Sequence, residues 1–237
     1  MPSSPTPTWA PELLARAYYS DDSVVLIHAD CLELADLWTC ADVLVTDPPY
    51  GVAWEANRLD SDAGKRRAAT QSIAGDESTE TRDAALSAWG DRPAVIFGSW
   101  RKPLPMAPSH RLIWHKAGRA PGVSPHPWFS TDEEIWLLGA GWAGRPTGTV
   151  LTTTERRSQE PGKVGHPTPK PIPLMETLIA KCPPGIIADP FAGSGSTLVA
   201  AARLGRKAIG VELDERYCEI AARRLSQGVL DFGGEAS

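Results

Sequence analysis

Cysteine is scarce in this chain of 237 residues: there are four, Cys31, Cys40, Cys182 and Cys218, and no two share Cys-x-x-Cys spacing. That scarcity points away from a disulfide framework and from a cysteine-built zinc site, and it marks the four as reduced core residues. Long apolar runs are missing too, since none approaches the roughly 18 residues that span a bilayer, and the first residues lack the apolar centre of a secretory signal. The expectation is a cytoplasmic protein with no membrane partner. Positive charge is also in short supply: 24 Lys and Arg against 29 Asp and Glu leave a net charge of −5, the wrong sign for a chain with a basic footprint throughout. The charge is unevenly spread, however. Residues 1–60 hold ten acids and two bases, whereas residues 101–170 hold ten bases and five acids. The middle segment is therefore the candidate face for a polyanion, and a merely solvated surface is the alternative, because few of its charges are contiguous.

What is present centres on Thr46-Asp47-Pro48-Pro49-Tyr50-Gly51, a turn delivered by the apolar run Val43-Leu44-Val45. Two consecutive prolines restrict φ and remove two backbone donors, so the turn offers carbonyls and few N–H groups. A carboxylate, a bare carbonyl and an aromatic ring within four residues suit a flat substrate bearing NH₂. The amine donates to Asp47 and the Pro48 carbonyl while Tyr50 stacks on the ring. An exocyclic amine is a poor nucleophile because its lone pair is conjugated; two acceptors that hold its protons loosen that conjugation, and the carboxylate can take the proton the alkylated nitrogen must lose. The plain alternative is a strand-end turn whose Asp caps and whose Tyr packs.

A second constellation lies far along the chain. Gly185-Ile186-Ile187-Ala188 reads as a buried strand that enters Asp189-Pro190-Phe191-Ala192-Gly193-Ser194-Gly195-Ser196-Thr197, and the Ala- and Leu-rich stretch Leu198 to Leu204 reads as a helix. Glycines at 193 and 195 admit close backbone approach, and the helix start presents free N–H groups to an anionic group. A further strand, Lys207 to Val211, ends at Glu212 and Leu213; an acid about 20 residues after such a loop is where nucleotide-type folds bind ribose hydroxyls. A Gly loop alone is weak evidence. The order strand, Gly loop, helix, strand, acid is much stronger.

Asp-Pro-Pro-Tyr together with Asp-Pro-Phe-Ala-Gly-Ser-Gly-Ser-Thr resembles the S-adenosylmethionine-dependent DNA amino-methyltransferases, in the group with circularly permuted motif order, where the catalytic motif comes first. The resemblance covers most of the chain, and the two motifs jointly are far more specific than either. It implies a catalytic role for Asp47, Pro48, Pro49 and Tyr50. It implies an S-adenosyl-L-methionine site at Asp189, Phe191, Ala192, Gly193, Ser194, Gly195, Ser196, Thr197, Glu212 and Leu213. The Asp30-Cys31-Leu32 turn resembles the family segment that lies against the cofactor adenine, so Asp30 and Cys31 join that set; by chemistry alone Asp30 is a helix N-cap, and the two roles can coexist. His166-Pro167-Thr168-Pro169-Lys170-Pro171 resembles the motif that closes the cofactor pocket, which adds Lys170. No cysteine follows a proline, as the nucleophile of the cytosine-C5 enzymes does. No metal is implied.

Residues 51–81 form a long polar stretch with Lys65-Arg66-Arg67 at its centre, and loops longer than about 15 residues are usually functional or disordered. The resemblance makes it a mobile lid over DNA, with those three residues on phosphates. Residues 139–165 carry Arg145, Arg156, Arg157 and Lys163 and take the place of the family's target-recognition insertion. It is short for that task, so either the recognised site is short or a second subunit contributes. Double-stranded DNA is the expected partner; a homodimer and a cognate restriction endonuclease are further candidates. Of the nine tryptophans, several cluster around 100–142, as base-stacking or as core residues.

Residues 1–22 are expected to be a tail, frayed through Trp9, with a short helix over Pro11 to Tyr19. Residues 23–227 form the methyltransferase domain, and residues 228–237 a loose C-terminal tail. Strands are expected near 23–28, 43–45, 93–97, 111–114, 132–138, 185–188 and 207–211, with helices before Trp38, over 82–89, 173–181, 198–204 and 215–225. The architecture this predicts is α/β, a doubly wound Rossmann-like seven-stranded sheet, mostly parallel with one antiparallel strand. The expected activity is transfer of a methyl group to adenine N6 in DNA. N4-cytosine methylation is the nearest alternative, followed by methylation of RNA or a protein amide, and then by a non-catalytic binding module.

Overall fold

The computed structural model describes residues 9–51, 78–118, 127–128, 130–154 and 169–232, with backbone alone from residue 228. The chain opens with α1 (Pro11–Ala15), β1 (Ala17–Ser20), β2 (Val24–His28), α2 (Ala35–Trp38) and β3 (Val43–Thr46). Then come α3 (Glu80–Trp89), β4 (Ala94–Gly98), β5 (His110–Lys116), β6 (Asp132–Leu138) and β7 (Val150–Thr153). The last third supplies α4 (Ile172–Ile179), β8 (Ile187–Asp189), α5 (Ser196–Arg203), β9 (Ala208–Glu212) and α6 (Glu215–Phe232).

All strands join one nine-stranded sheet in the order β1-β2-β9-β8-β3-β4-β6-β5-β7. The expected seven are its centre, from β2 to β5, with β2, β9, β8, β3 and β4 mutually parallel and β6 antiparallel to both its neighbours. β3 and β4 are buried along their whole length, which is why they read as unbroken apolar runs rather than alternating ones. Successive side chains still serve opposite faces. Val24, Leu26, Val43, Val45, Val95 and Phe97 pack under α4, α5 and α6. Val25, Ile27, Leu44, Ala94 and Ile96 pack against α1, α2 and α3, where Trp38 and Trp89 stack with centroids 6.2 Å apart.

Several boundaries differ from the sequence reading. Helix α1 ends at Ala15, and the expected helix over Pro11 to Tyr19 gives way to β1, which pairs antiparallel with β2 through a register shift between Ala17 and Tyr19. Short as it is, α1 cannot outbid the pairing open to its aromatic neighbours on an otherwise bare sheet edge. Residues 17–20 therefore belong to the sheet and not to a tail. Trp9 is not frayed: it is buried, its indole N–H donates to the Asp21 carbonyl at 2.8 Å, and Lys207 Nζ lies 4.2 Å from its ring centroid. Helix α3 begins at Glu80, inside the stretch expected to be loop. β7, within the expected recognition insertion, adds a parallel edge strand beside β5. Helix α6 continues through Phe232, so the segment from 228 is helical where a loose tail was expected.

Gly98 ends β4 under the Trp136 ring of β6, and a Cβ there would fall 2.2 Å from a ring carbon. Gly98→Ala is expected to lower unfolding free energy by about 1–3 kcal/mol through overpacking. Urea titration checks it, and an unchanged midpoint would show that the indole swings aside freely.

Candidate active site

The parallel strands all end on one edge of the sheet. His28 is opposite Glu212, Asp189 opposite Gly210, Leu44 opposite Ala188 and Thr46 opposite Ile96. The segments leaving these strands, Asp30-Cys31, Leu213, the Gly loop, the Asp47 turn and Ser99-Trp100, therefore crowd together outside the carboxyl ends, where open α/β sheets bind ligands. A direct bond ties the two main motifs: Thr46 Oγ1 donates to Asp189 Oδ1 at 2.7 Å, and the Phe191 N–H donates to the same oxygen at 3.2 Å. Asp189 is buried, and burial pushes its carboxyl up to about 6 against the opposing effect of its hydrogen bonds with Thr197, Thr46 and Phe191. Its carboxyl is thus turned inward, and it shapes the site by holding the loop.

In the Asp47 turn, both oxygens of Asp47 are engaged. The Tyr50 hydroxyl donates to Oδ1 at 2.6 Å, and the Lys170 ammonium lies 2.6 Å from Oδ2. Lys170, placed on the cofactor side by resemblance, here faces Asp47 and, at 3.2 Å, Glu133 Oε2 of β6. Glu133 pairs in turn with Lys116 of β5 through its other oxygen. Burial alone would push the Lys170 ammonium down, but the Asp47 and Glu133 carboxylates more than offset it and the net shift is upward. Burial would likewise raise Glu133, yet Lys170 and Lys116 bring it below the ordinary carboxylate range. Glu133 is not a site residue by sequence, and Lys116 enters there only as one of the ten bases of residues 101–170. The available signal was an acid pair, Glu133-Glu134, inside an apolar strand.

At the Gly loop, α5 follows its N-cap Gly195, which has φ +80 and whose Cβ would meet Ala221 of α6 at 2.8 Å. Glycine is thus required there by backbone conformation and helix packing, whatever the ligand. The first-turn N–H groups of α5 have no intrahelical acceptor and point out of the helix start. The Gly193 N–H donates to Glu212 Oε2 at 2.7 Å and the Asp214 N–H to Oε1 at 2.8 Å. Burial raises the Glu212 carboxyl in spite of these bonds. Arg224 of α6 reaches the Ser194 carbonyl at 2.7 Å, Ser194 Oγ at 3.1 Å and Ser196 Oγ at 3.4 Å, so both serine side chains are engaged within the protein. Thr197 is buried and Ala192 donates its N–H to the Val211 carbonyl, while Phe191 packs against the core. The loop consequently presents mainly backbone.

Asp30 Oδ1 accepts the Leu32 N–H at 2.8 Å, so it caps its own turn; α2 starts later, at Ala35, and its N-cap Leu34 makes no side-chain cap bond. Cys31 is buried, its carbonyl accepts the Trp38 indole N–H at 2.8 Å, and burial pushes its thiol up to about 12. Leu213 is exposed, and its carbonyl lies 3.1 Å from His28 Nε2. Of the expected DNA-contacting residues, Arg145 is exposed and its carbonyl accepts a bond from Lys181 Nζ at 2.7 Å. Lys65, Arg66, Arg67, Arg156, Arg157 and Lys163 lie outside the described residues, as do Trp54 and His166 to Thr168. The basic surplus of residues 101–170 is not all surface, since Lys116 and Lys170 face Glu133 in the interior; Arg111, which faces Glu134, stays exposed. Trp38, Trp89, Trp114 and Trp136 are core residues, whereas Trp100 and Trp128 are exposed.

A carboxyl raised to about 6 from an unfolded value of 3.8 binds more protons in the native than in the unfolded state across that interval. Its ionisation therefore lowers stability as pH rises from about 4 to 6. Asp189→Asn can keep the bonds from Thr46 and Phe191 while removing the titration. The stability of the variant relative to wild type is expected to rise between pH 4 and 7 by up to about 3 kcal/mol; urea unfolding at each pH measures it. A difference that stays flat with pH would show that Asp189 is not the titrating group.

Comparison with known proteins agrees with this geometry. The N6/N4 methyltransferase family model, described as DNA methylase, matches residues 128–223. The type II methyltransferase M2.LlaDCHI of Lactococcus lactis subsp. cremoris is 25% identical over 261 residues, spanning 91% of this chain and 94% of that protein. Among solved structures, the M1.HpyAVI complex with SAM superposes with a TM-score of 0.63 at 22% identity, covering 85% of this chain and 98% of that one. The cytosine-N4-specific PvuII DNA methyltransferase superposes with a TM-score of 0.62 at 15% identity, covering 92% and 94%; both likenesses concern the fold. Both motifs converge on one edge of such a sheet, and the match to the N6/N4 family model over residues 128–223, together with the likeness to type II methyltransferases, supports a place among the DNA amino-methyltransferases.

Proposed function

We propose that this DNA methyltransferase transfers a methyl group from S-adenosyl-L-methionine to the exocyclic N6 of adenine. The observation that supports the reading best is the Thr46–Asp189 bond, which sets the amine-accepting turn beside the Gly loop at the ends of neighbouring strands. The residues present fit the cofactor: the α5 start offers first-turn N–H groups without intrahelical acceptors to an anionic group, and the Glu212 carboxylate, which accepts the Gly193 and Asp214 N–H groups, is the acceptor for a ribose hydroxyl. When bound, S-adenosyl-L-methionine supplies an electrophilic methyl on sulfonium.

The protein's part is to make the amine nucleophilic and to take its proton. Asp47 and the Pro48 carbonyl accept the two N–H groups and draw the nitrogen lone pair out of the ring. As the N–C bond would form, the methyl–sulfur bond would break to leave a neutral thioether, the nitrogen would become cationic, and Asp47 would accept the proton it releases. Reaching that nitrogen requires the base to leave the DNA stack, and the Tyr50 ring beside Asp47 is the surface on which it stacks. An Asp at the first motif position resembles the adenine-modifying members more than the Ser-type cytosine ones. The same two acceptors serve cytosine N4, so that base is the alternative.

Two measurements test this reading. Asp47→Ala is expected to abolish transfer while leaving cofactor affinity within a few fold, whereas Glu212→Ala weakens the cofactor by about 1.5–3 kcal/mol, the scale of lost bonds to a charged group. Isothermal titration with S-adenosyl-L-methionine separates them, and equal affinity losses would show the roles to be misassigned. Mass spectrometry of nucleosides from DNA treated with enzyme and cofactor is expected to show N6-methyladenine. N4-methylcytosine as main product would overturn the base, and 5-methylcytosine would overturn the amine chemistry as well.

A further inference from the structure

Lys170 and Glu133 carry charges that amine methylation does not in itself require, yet both are withdrawn from water beside the catalytic carboxylate, with side chains 8% and 23% exposed. Buried ions cost free energy unless they are closely paired, and apolar residues of the same volume are often no worse for stability. Their presence therefore calls for a chemical reason. The charges alternate in sign along a path through four segments: Lys116 on β5, Glu133 on β6, Lys170 just before α4, and Asp47 after β3. Aromatic faces wall in the Lys170 ammonium, which lies 4.9 Å from the Phe97 centroid and 5.8 Å from those of Tyr50 and Trp114. It has little room to leave Asp47 for another partner.

We propose that Lys170 and Glu133 are positioning residues for methyl transfer: Lys170 fixes the Asp47 carboxylate, and Glu133 keeps Lys170 paired while Asp47 takes up a proton. The proposal rests on Asp47 being the amine acceptor. Held by Tyr50 on one oxygen and Lys170 on the other, the carboxylate cannot rotate, and each oxygen retains a lone pair for the incoming NH₂. When the methylated nitrogen gives its proton to Asp47, that carboxyl becomes neutral and Lys170 loses one of its two counter-ions. Glu133 remains at 3.2 Å, so no unpaired ammonium is left in a buried site, and Lys116 keeps Glu133 itself paired. Without Glu133, proton uptake by Asp47 would strand the Lys170 charge and raise the barrier of that step. No part of this path touches the Gly loop or Glu212, so cofactor binding stays outside it.

Single-turnover transfer at saturating cofactor and DNA, with cofactor affinity from calorimetry, tests the pair in wild type, Glu133→Gln, Lys170→Met and the double variant. Each single change is expected to slow transfer by at least about tenfold while the cofactor Kd stays within about threefold. The double variant should be no slower than Lys170→Met, because Glu133 acts through Lys170. Rate losses that multiply in the double variant, or losses that fall on the cofactor Kd instead of the rate, would overturn the proposal. If Lys170→Met does not unfold cooperatively, the shape-conserving Glu133→Gln decides alone, and a wild-type rate in it counts against the idea. A wild-type protein that methylates neither base amine would sink the reading of the site, whereas an active wild type with a fully active Glu133→Gln sinks only this inference.

Discussion

The hydrogen bond from Thr46 to Asp189 is the constraint on which the site depends. It joins the last residue of β3 to the last residue of β8 inside the sheet, with both residues buried, at 2.7 Å. The Asp47 turn starts one residue beyond it on one side, and the Phe191 loop starts two residues beyond it on the other. An Asp without partners there would carry the full cost of a buried polar group, about 1–3 kcal/mol or more. The raised Asp189 carboxyl records that cost even with its partners in place. Stability is given up at this point in return for a fixed distance between two loops that arrive from opposite ends of the chain.

Charge is organised around the same edge in a way that net charge conceals. The chain is acidic overall, yet part of its basic middle segment is turned inward, with Lys116 and Lys170 facing Glu133, and Lys170 also facing Asp47. Exposed cations remain in that region, including Arg101, Lys102 and Arg145. Two uses of positive charge are thus mixed in one stretch of sequence, and only burial separates them. Glu212 illustrates the complementary case, an acid whose oxygens hold the Gly loop and the start of the segment before α6.

Much of the centre was legible because its physics is local. Buried parallel strands are continuous apolar runs, so β2, β3, β4, β8 and β9 could be read from such runs, and Asp132 to Leu138 matched β6 end to end. The edges were less legible. β1 follows a helix of only five residues, and its pairing with β2 depends on an open sheet edge that no local window contains. β7 has the alternating burial of a half-covered strand, four residues long, which is too weak a pattern to stand out.

By itself, the sequence determined the two motifs, their order along the chain and the strand ends that carry them, because turn chemistry and apolar runs act over a few residues. Tertiary structure alone decided that Thr46 meets Asp189, that Arg224 closes on Ser194, and that Lys170 faces Asp47 and Glu133. Each of those contacts joins residues well separated along the chain. Which charges come to face each other follows from strand order and packing, and these are settled by burying the whole sheet between two layers of helices rather than by any neighbour in sequence.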